Sequence, residues 1–282
     1  DITAPGVQIM AGNTPVAEPT GQLFQAIAGT SMSSPIVAGS YALLKQAHPD
    51  WTAAMAKSAL MTTANTAVRD NDRVSPATPF AMGAGMTNLG SPTARGSAYR
   101  PGLVYDAGFY EYLGFLCAEG REAFGNADRT CASLAANGIP TLAADLNLAS
   151  IGVEAVAGTT TVTRTVTSVA DRTTTFDSRV EAPAGYRVKV TPSRLTIDPG
   201  KSASFRVTIP NTGAAPAGQW RFGSLSWRSS GYEVRSPIAV KGTTLSAPAS
   251  VTGTGASGSA TLPVQFGFAG PCTATAEGLV AA

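Results

Sequence analysis

Four hydroxyl residues, Thr30, Ser31, Ser33 and Ser34, lie between Gly29 and Pro35, just ahead of an apolar run. Gly29 supplies a backbone that turns without a Cβ clash, the hydroxyl residues are helix-capping types, and Pro35 suits a first helical turn. A serine placed there sits among unpaired backbone N–H groups at the positive end of a helix dipole, where developing negative charge is stabilised. That is the setting for nucleophilic attack by a hydroxyl, provided a base removes its proton. His48 is the only histidine of the chain and has to be weighed as that base. It lies seventeen residues beyond Ser31, roughly 25 Å along one helix at about 1.5 Å per residue. A general base must reach its proton within about 3 Å. The base for Ser31 is therefore expected outside this sequence, with His48 as a helix-terminal residue favoured by the negative end of the dipole.

The helix that would position Ser31 continues through Ile36, Val37, Tyr41, Leu43, Leu44 and Ala47, with small Ala38, Gly39, Ser40 and Ala42 between them, and Pro49 ends it. Apolar almost all round, it is expected in the middle of a core. Asp50 or Thr52 caps a second helix over 53–64, with Met55, Ala56, Ala59, Leu60 and Thr63 on its buried face, packed back against the first. Ahead of the serine, residues 1–9 read as a loop and short strand. Residues 10–25, with Gly12, Asn13, Pro15, Pro19 and Gly21, read as a surface loop. Residues 65–79 are a polar loop, and 80–89 a short strand and turn whose glycines allow close backbone approach without chemistry of their own. From 95 to about 140 the pattern is a connector with helical pieces; its aromatic stretch 109–117 packs against the protein or, as the sharper alternative, forms an aromatic ligand site. Period-two alternation follows in 159–169, 186–191, 205–209, 222–227 and 234–240, short strands that make a β-sandwich.

The run Gly29-Thr30-Ser31-Met32-Ser33-Ser34-Pro35 resembles the nucleophile motif of subtilisin-like serine proteases, the subtilases. The resemblance continues through His48-Pro49-Asp50-Trp51, residues 57–64, Gly83-Ala84-Gly85, residues 101–106 and residues 234–238, in order, to about 242; it is closest to the plant-type branch and its bacterial relatives. It implies the C-terminal part of a subtilisin-like α/β parallel-sheet domain over 1–95, a connector over 96–144, and an all-β fibronectin type III-like sandwich over 145–242. Residues 243–282 would be a Gly/Ser/Thr-rich linker and the start of a further β module. It also implies that Ser31 is the nucleophile, that its own N–H is an oxyanion donor, and that Gly29, Thr30 and Met32 lie beside the substrate, Met32 open to oxidative inactivation. The family's chain order is Asp, His, Ser, with an Asn as side-chain oxyanion donor. Only the serine falls here, so the other three are expected before Asp1 and the 282-residue piece alone is expected to be silent. The implied activity is that of a secreted serine endopeptidase acting on polypeptides. A pseudoprotease and a peptide- or surface-binding module are the alternatives. Where relatives usually carry Asp before Pro101, this chain has Arg100, a departure confined to the connector.

Three cysteines are present. Relatives show a cysteine pair in the region of Cys117 and Cys131, which implies a disulfide and an oxidising, extracellular compartment, two reduced buried thiols being the alternative. Cys272 is left over, free or paired beyond Ala282. The net charge of +2 is spread out, against a nucleic-acid partner, and the two long uncharged runs are broken by Gly, Pro and hydroxyl residues, against a membrane span. No ligand cluster for a metal and no cofactor motif is visible, and no Asn-x-Ser/Thr acceptor occurs, which leans towards a bacterial source. No signal peptide opens the chain, which reads as a piece of something longer. Residues 145–242 are expected to fold alone, and the portion before them to aggregate when isolated.

Overall fold

Strands Ile9–Gly12 (β1) and Phe24–Ile27 (β2) pair antiparallel, Ile9 opposite Ile27, in the computed structural model, which describes residues 1–14, 16, 21–247, 259, 261 and 264–267. Much of what reads as one surface loop over 10–25 is thus a hairpin. Four-residue strands are too short for alternation to show against Pro- and Gly-rich neighbours. Strand β2 leads into helix α1 (Thr30–Ala47), and Thr52, accepting from the Met55 N–H at 3.0 Å, caps α2 (Ala53–Thr62).

Helix α1 does not lie in the middle of a core. Only Ser40 and Leu44 are buried; Ile36, Val37 and Tyr41 are half-buried and Leu43 is exposed. Packing comes from one side, where Leu44 meets Trp51, Ala56, Ala59 and Leu60, and the described residues place nothing over the other. Because α1 starts at Thr30, Pro35 falls in its second turn and not its first, and the Ser31 carbonyl loses the donor an ordinary residue would supply there. By contrast α2 is buried almost throughout, with Met61 reaching the core of the β-sandwich. The start of the stretch 80–89, expected as a short strand and turn, instead lies in one helical turn (α3, Pro79–Met82), which a proline at the first helical position favours. Pairing there is limited to bridges from Met86 to Thr3 and Asn65. Gly83, at φ 61°, lies where a Cβ would come within 2.3 Å of the Asp1 carbonyl oxygen, so the close approach expected of these glycines is present.

The connector contributes strand β3 (Leu103–Val104) and helices α4 (Phe109–Glu119) and α5 (Ala127–Ala136), the two helices joined by the Cys117–Cys131 disulfide. The sandwich follows with β4 (Ile151–Val156), β5 (Thr159–Ser168), β6 (Thr174–Glu181), β7 (Lys189–Thr191), β8 (Arg194–Ile197), β9 (Ser202–Pro210), β10 (Trp220–Ser229) and β11 (Tyr232–Gly242). Its sheets run β4-β11-β10-β6-β8 and β3-β5-β9-β7, with β4 parallel to β11. Strand β3 therefore belongs to the sandwich although it precedes residue 145: Leu103 pairs with Ser168 and is wholly buried, as is Val104. Between the sheets lie Phe176, Phe205, Leu225, Trp227 and Ile238.

Among the described residues one charged side chain is buried. Arg164 on β5 is 3% exposed and donates from Nε to Leu148 O (3.1 Å), from Nη1 to Ala144 O (2.7 Å) and Thr163 O (2.8 Å), and from Nη2 to Ser150 O (2.9 Å). Burial pulls its pKa down to about 10, opposed by Tyr105 and Asp145. At the connector, Arg100 meets Asp171 at 2.9 Å and Arg95 meets it at 3.4 Å, so the residue that departs from the family pattern has a partner in the sandwich. Beyond β11 the described residues give one two-residue pairing, β12 (Leu245–Ser246) with β13 (Gln265–Phe266). Most of the linker and further β module expected over 243–282, including Cys272, lies outside the described residues.

Candidate active site

Ser31 is the second residue of α1, exposed, and its hydroxyl has no hydrogen-bond partner among the described residues. Its backbone N–H is likewise without an acceptor there, as the geometry of a helix start requires, while the Met32 N–H donates to Gly29 O at 3.1 Å. A hydroxyl and a free N–H on one exposed residue at the positive end of an 18-residue helix have the chemistry to supply a nucleophile and one donor to a developing oxyanion.

The turn before Ser31 is held from the chain's first residues. The Gly29 N–H donates to Gly6 O at 2.7 Å, and the Ser33 hydroxyl donates to Ala4 O at 2.9 Å. A Cβ on Gly6 would lie 2.3 Å from Ser33 Oγ and 2.8 Å from Gly29 O, so only glycine permits this contact. The role given to Gly29 needs correcting: its φ of 161° is extended backbone, and a Cβ there would meet nothing closer than 3.8 Å. Gly29 contributes through its N–H and carbonyl, and the glycine that the turn requires sterically is Gly6. Thr30 opens the helix without a side-chain cap bond, and Met32 is half-buried with its sulfur near Gly29. Sequence reading missed Gly6 and Ser33; the Pro5-Gly6 pair signals a turn but not its partner.

His48 closes α1 at the other end. Its backbone N–H donates to Leu44 O, its Nε2 lies 2.8 Å from Tyr99 O, and its ring stacks on Trp51 with centroids 3.9 Å apart. The imidazole is thus committed to the connector and is not brought to Ser31. An apolar cavity of about 570 Å³ opens beside α1, lined by Val37, Tyr41, Leu60 and Met61 together with Asp1 and Lys57. Among the described residues no three His, Cys, Asp or Glu side chains gather as a metal site, and no helix is long and apolar enough to cross a membrane.

Residues 1–85 match the model of the subtilase family, and residues 145–240 match that of the fibronectin type-III domain. Curated relatives include, from Arabidopsis thaliana, subtilisin-like protease SBT3.11, 36% identical over 251 residues, and SBT5.3, 38% identical over 264 residues; each alignment takes in 86% of this chain and 32% of the relative. SBT2.5 of the same organism is 38% identical over 261 residues, with 86% of this chain and 31% of that protein covered. Most of the chain is thus similar to subtilisin-like proteases, and it spans about a third of the length of these relatives.

Proposed function

We propose that Ser31 is the nucleophile of a secreted serine endopeptidase that cleaves polypeptides through an acyl-enzyme. The observation that carries this reading is the exposed Ser31 hydroxyl at the start of α1 with its own N–H unpaired, inside the stretch that matches the subtilase family. Attack by Ser31 Oγ on a peptide carbonyl would put negative charge on the carbonyl oxygen, and the Ser31 N–H and the dipole of α1 stabilise it. The base, the carboxylate that orients it and the side-chain oxyanion donor are supplied by residues outside these 282, since the one imidazole present is held at the far end of α1. Without them the chain has no proton acceptor for Ser31 and does not turn over peptides. The Cys117–Cys131 bridge supports an extracellular location.

Labelling with a fluorophosphonate probe tests the proposal, on the longer natural precursor and on the 282-residue chain, each beside a Ser31→Ala control. Labelling of the precursor that disappears in the control is expected, with none on the shorter chain. A folded precursor that does not label argues for a pseudoprotease, and labelling of the shorter chain shows that the base lies within it.

A further inference from the structure

On the outer face of the five-stranded sheet, strand register sets Arg179 of β6, Ser226 of β10 and Arg235 of β11 in one row, Ser226 opposite an arginine on either side. The flanking rows satisfy themselves. Asp177 pairs with Arg194 at 2.6 Å, Glu233 with Arg228 at 2.6 Å, and Ser224 donates to Glu181 at 3.1 Å. The middle row is not satisfied: neither guanidinium has a hydrogen bond or ion pair among the described residues, and the Ser226 hydroxyl, on a residue 5% exposed, has no partner. All three line a cavity of about 220 Å³, to which the loop after α2 adds the unpartnered hydroxyl of Thr66.

Charge around this cavity is uneven. Arg179, Arg228 and Arg235 face Glu181 and Glu233, an excess of one positive charge. Burial pulls the Arg235 guanidinium below its ordinary range despite the opposing pull of Glu181 and Glu233, so its lost hydration is not made good by its neighbours. One monoanion balances the site, whereas a dianion overshoots it. A carboxylate also has the planar pair of acceptors that a guanidinium fork binds best.

We propose that this cavity binds a single carboxylate, held by Arg235 and Arg179 with the Ser226 hydroxyl donating between them. The group is either the free main-chain carboxylate of a polypeptide or an acidic side chain. Thr66 lies in the region that matches the subtilases and the other residues in the region that matches fibronectin type-III domains, so a bound carboxylate fastens the two together. Occupancy therefore raises the thermal midpoint of the whole chain.

Isothermal titration of the 282-residue chain at fixed ionic strength tests this with three probes: N-acetylalanine for a terminal carboxylate, the α-amide of N-acetylglutamate for a side chain, and inorganic phosphate. At least one carboxylate is expected to bind saturably at one per chain and more tightly than phosphate, the tighter of the two identifying the source. Arg235→Gln should weaken it at least about tenfold and Ser226→Ala about threefold to tenfold. Should Arg235→Gln fail to fold, Arg179→Gln at an exposed position makes the same test and abolishes the rise in thermal midpoint. No saturable carboxylate binding, tighter binding of phosphate, or binding unchanged by the arginine substitutions overturns the proposal.

Discussion

Gly6 and Gly29 meet in the turn that presents Ser31, and the backbone asks different things of them. Gly6 has no room for a methyl group, because Ser33 Oγ and Gly29 O already occupy that space, whereas Gly29 is extended with only ordinary contacts around it. Gly6→Ala is expected to destabilise the chain by about 1–3 kcal/mol through overpacking, and Gly29→Ala to change stability by no more than about 1 kcal/mol in either direction. Urea unfolding of the two variants checks the order, and a Gly29→Ala variant that loses more than Gly6→Ala contradicts it. The proposed nucleophile was legible because its signal is local: hydroxyls, a following apolar run and the surrounding motif are neighbours in the chain. The contact between Ser33 and Ala4 spans 29 residues and leaves no local trace. The Arg179, Ser226 and Arg235 row is illegible for the same reason, since three strands and their register bring it together.

Among the elements, β3 has the largest consequence for how the protein divides. Leu103 is fully buried in the sandwich and Val104 against Leu44, Ala59 and Leu60 of the two helices, and the Tyr105 hydroxyl accepts from Ser236 at 3.0 Å while its backbone N–H donates to Ser58 Oγ at 2.8 Å. A segment cut at 145 leaves the β5 edge and the place of one apolar side chain open, a loss of about 1.5–3 kcal/mol. A segment covering 101–242 should therefore unfold cooperatively in urea at a clearly higher midpoint than 145–242; equal midpoints contradict the role given to β3. Strands β5 and β9 were legible because each alternates cleanly, burying Val162, Val166, Phe205, Val207 and Ile209 between polar neighbours. Strand β6 hid because Phe176 is its one fully buried apolar residue, and β8 because it has only four residues. Strand β3, two residues long, carries no periodicity at all and is recruited by its partner Thr167–Ser168. Helix α1 misled in the opposite way: its composition is that of a core helix, but composition reports what a surface is suited to meet and not what this length of chain provides.

For the molecule as a whole, the connector is tied to the sandwich by Asp171, shared between Arg95 and Arg100, with Arg95 also lying over the Tyr232 ring. Burial pushes the Asp171 carboxyl up, but Arg95 and Arg100 outweigh it, and its pKa lies below the ordinary value. A depressed carboxylate contributes stability that is fully present above its unfolded pKa of about 3.9 and is lost as pH falls through the native value. Thermal midpoints of the chain and of Asp171→Asn should therefore converge as pH drops below about 4, the difference being largest near neutrality. A constant difference across that range removes Asp171 from the pH dependence. The four carbonyls that surround Arg164 have a consequence of another kind. Every residue has a carbonyl, so the stretch from Ala144 to Ser150 is gripped through what is common to all amino acids, and these bonds place no demand on which side chains stand there. The whole demand falls on position 164, where only the five fixed donors of a guanidinium reach that many acceptors and a lysine ammonium does not. These four bonds thus constrain position 164 alone, and what constrains the side chains of the clasped segment is their own contacts, such as those of Asp145 and Asn147 with β5.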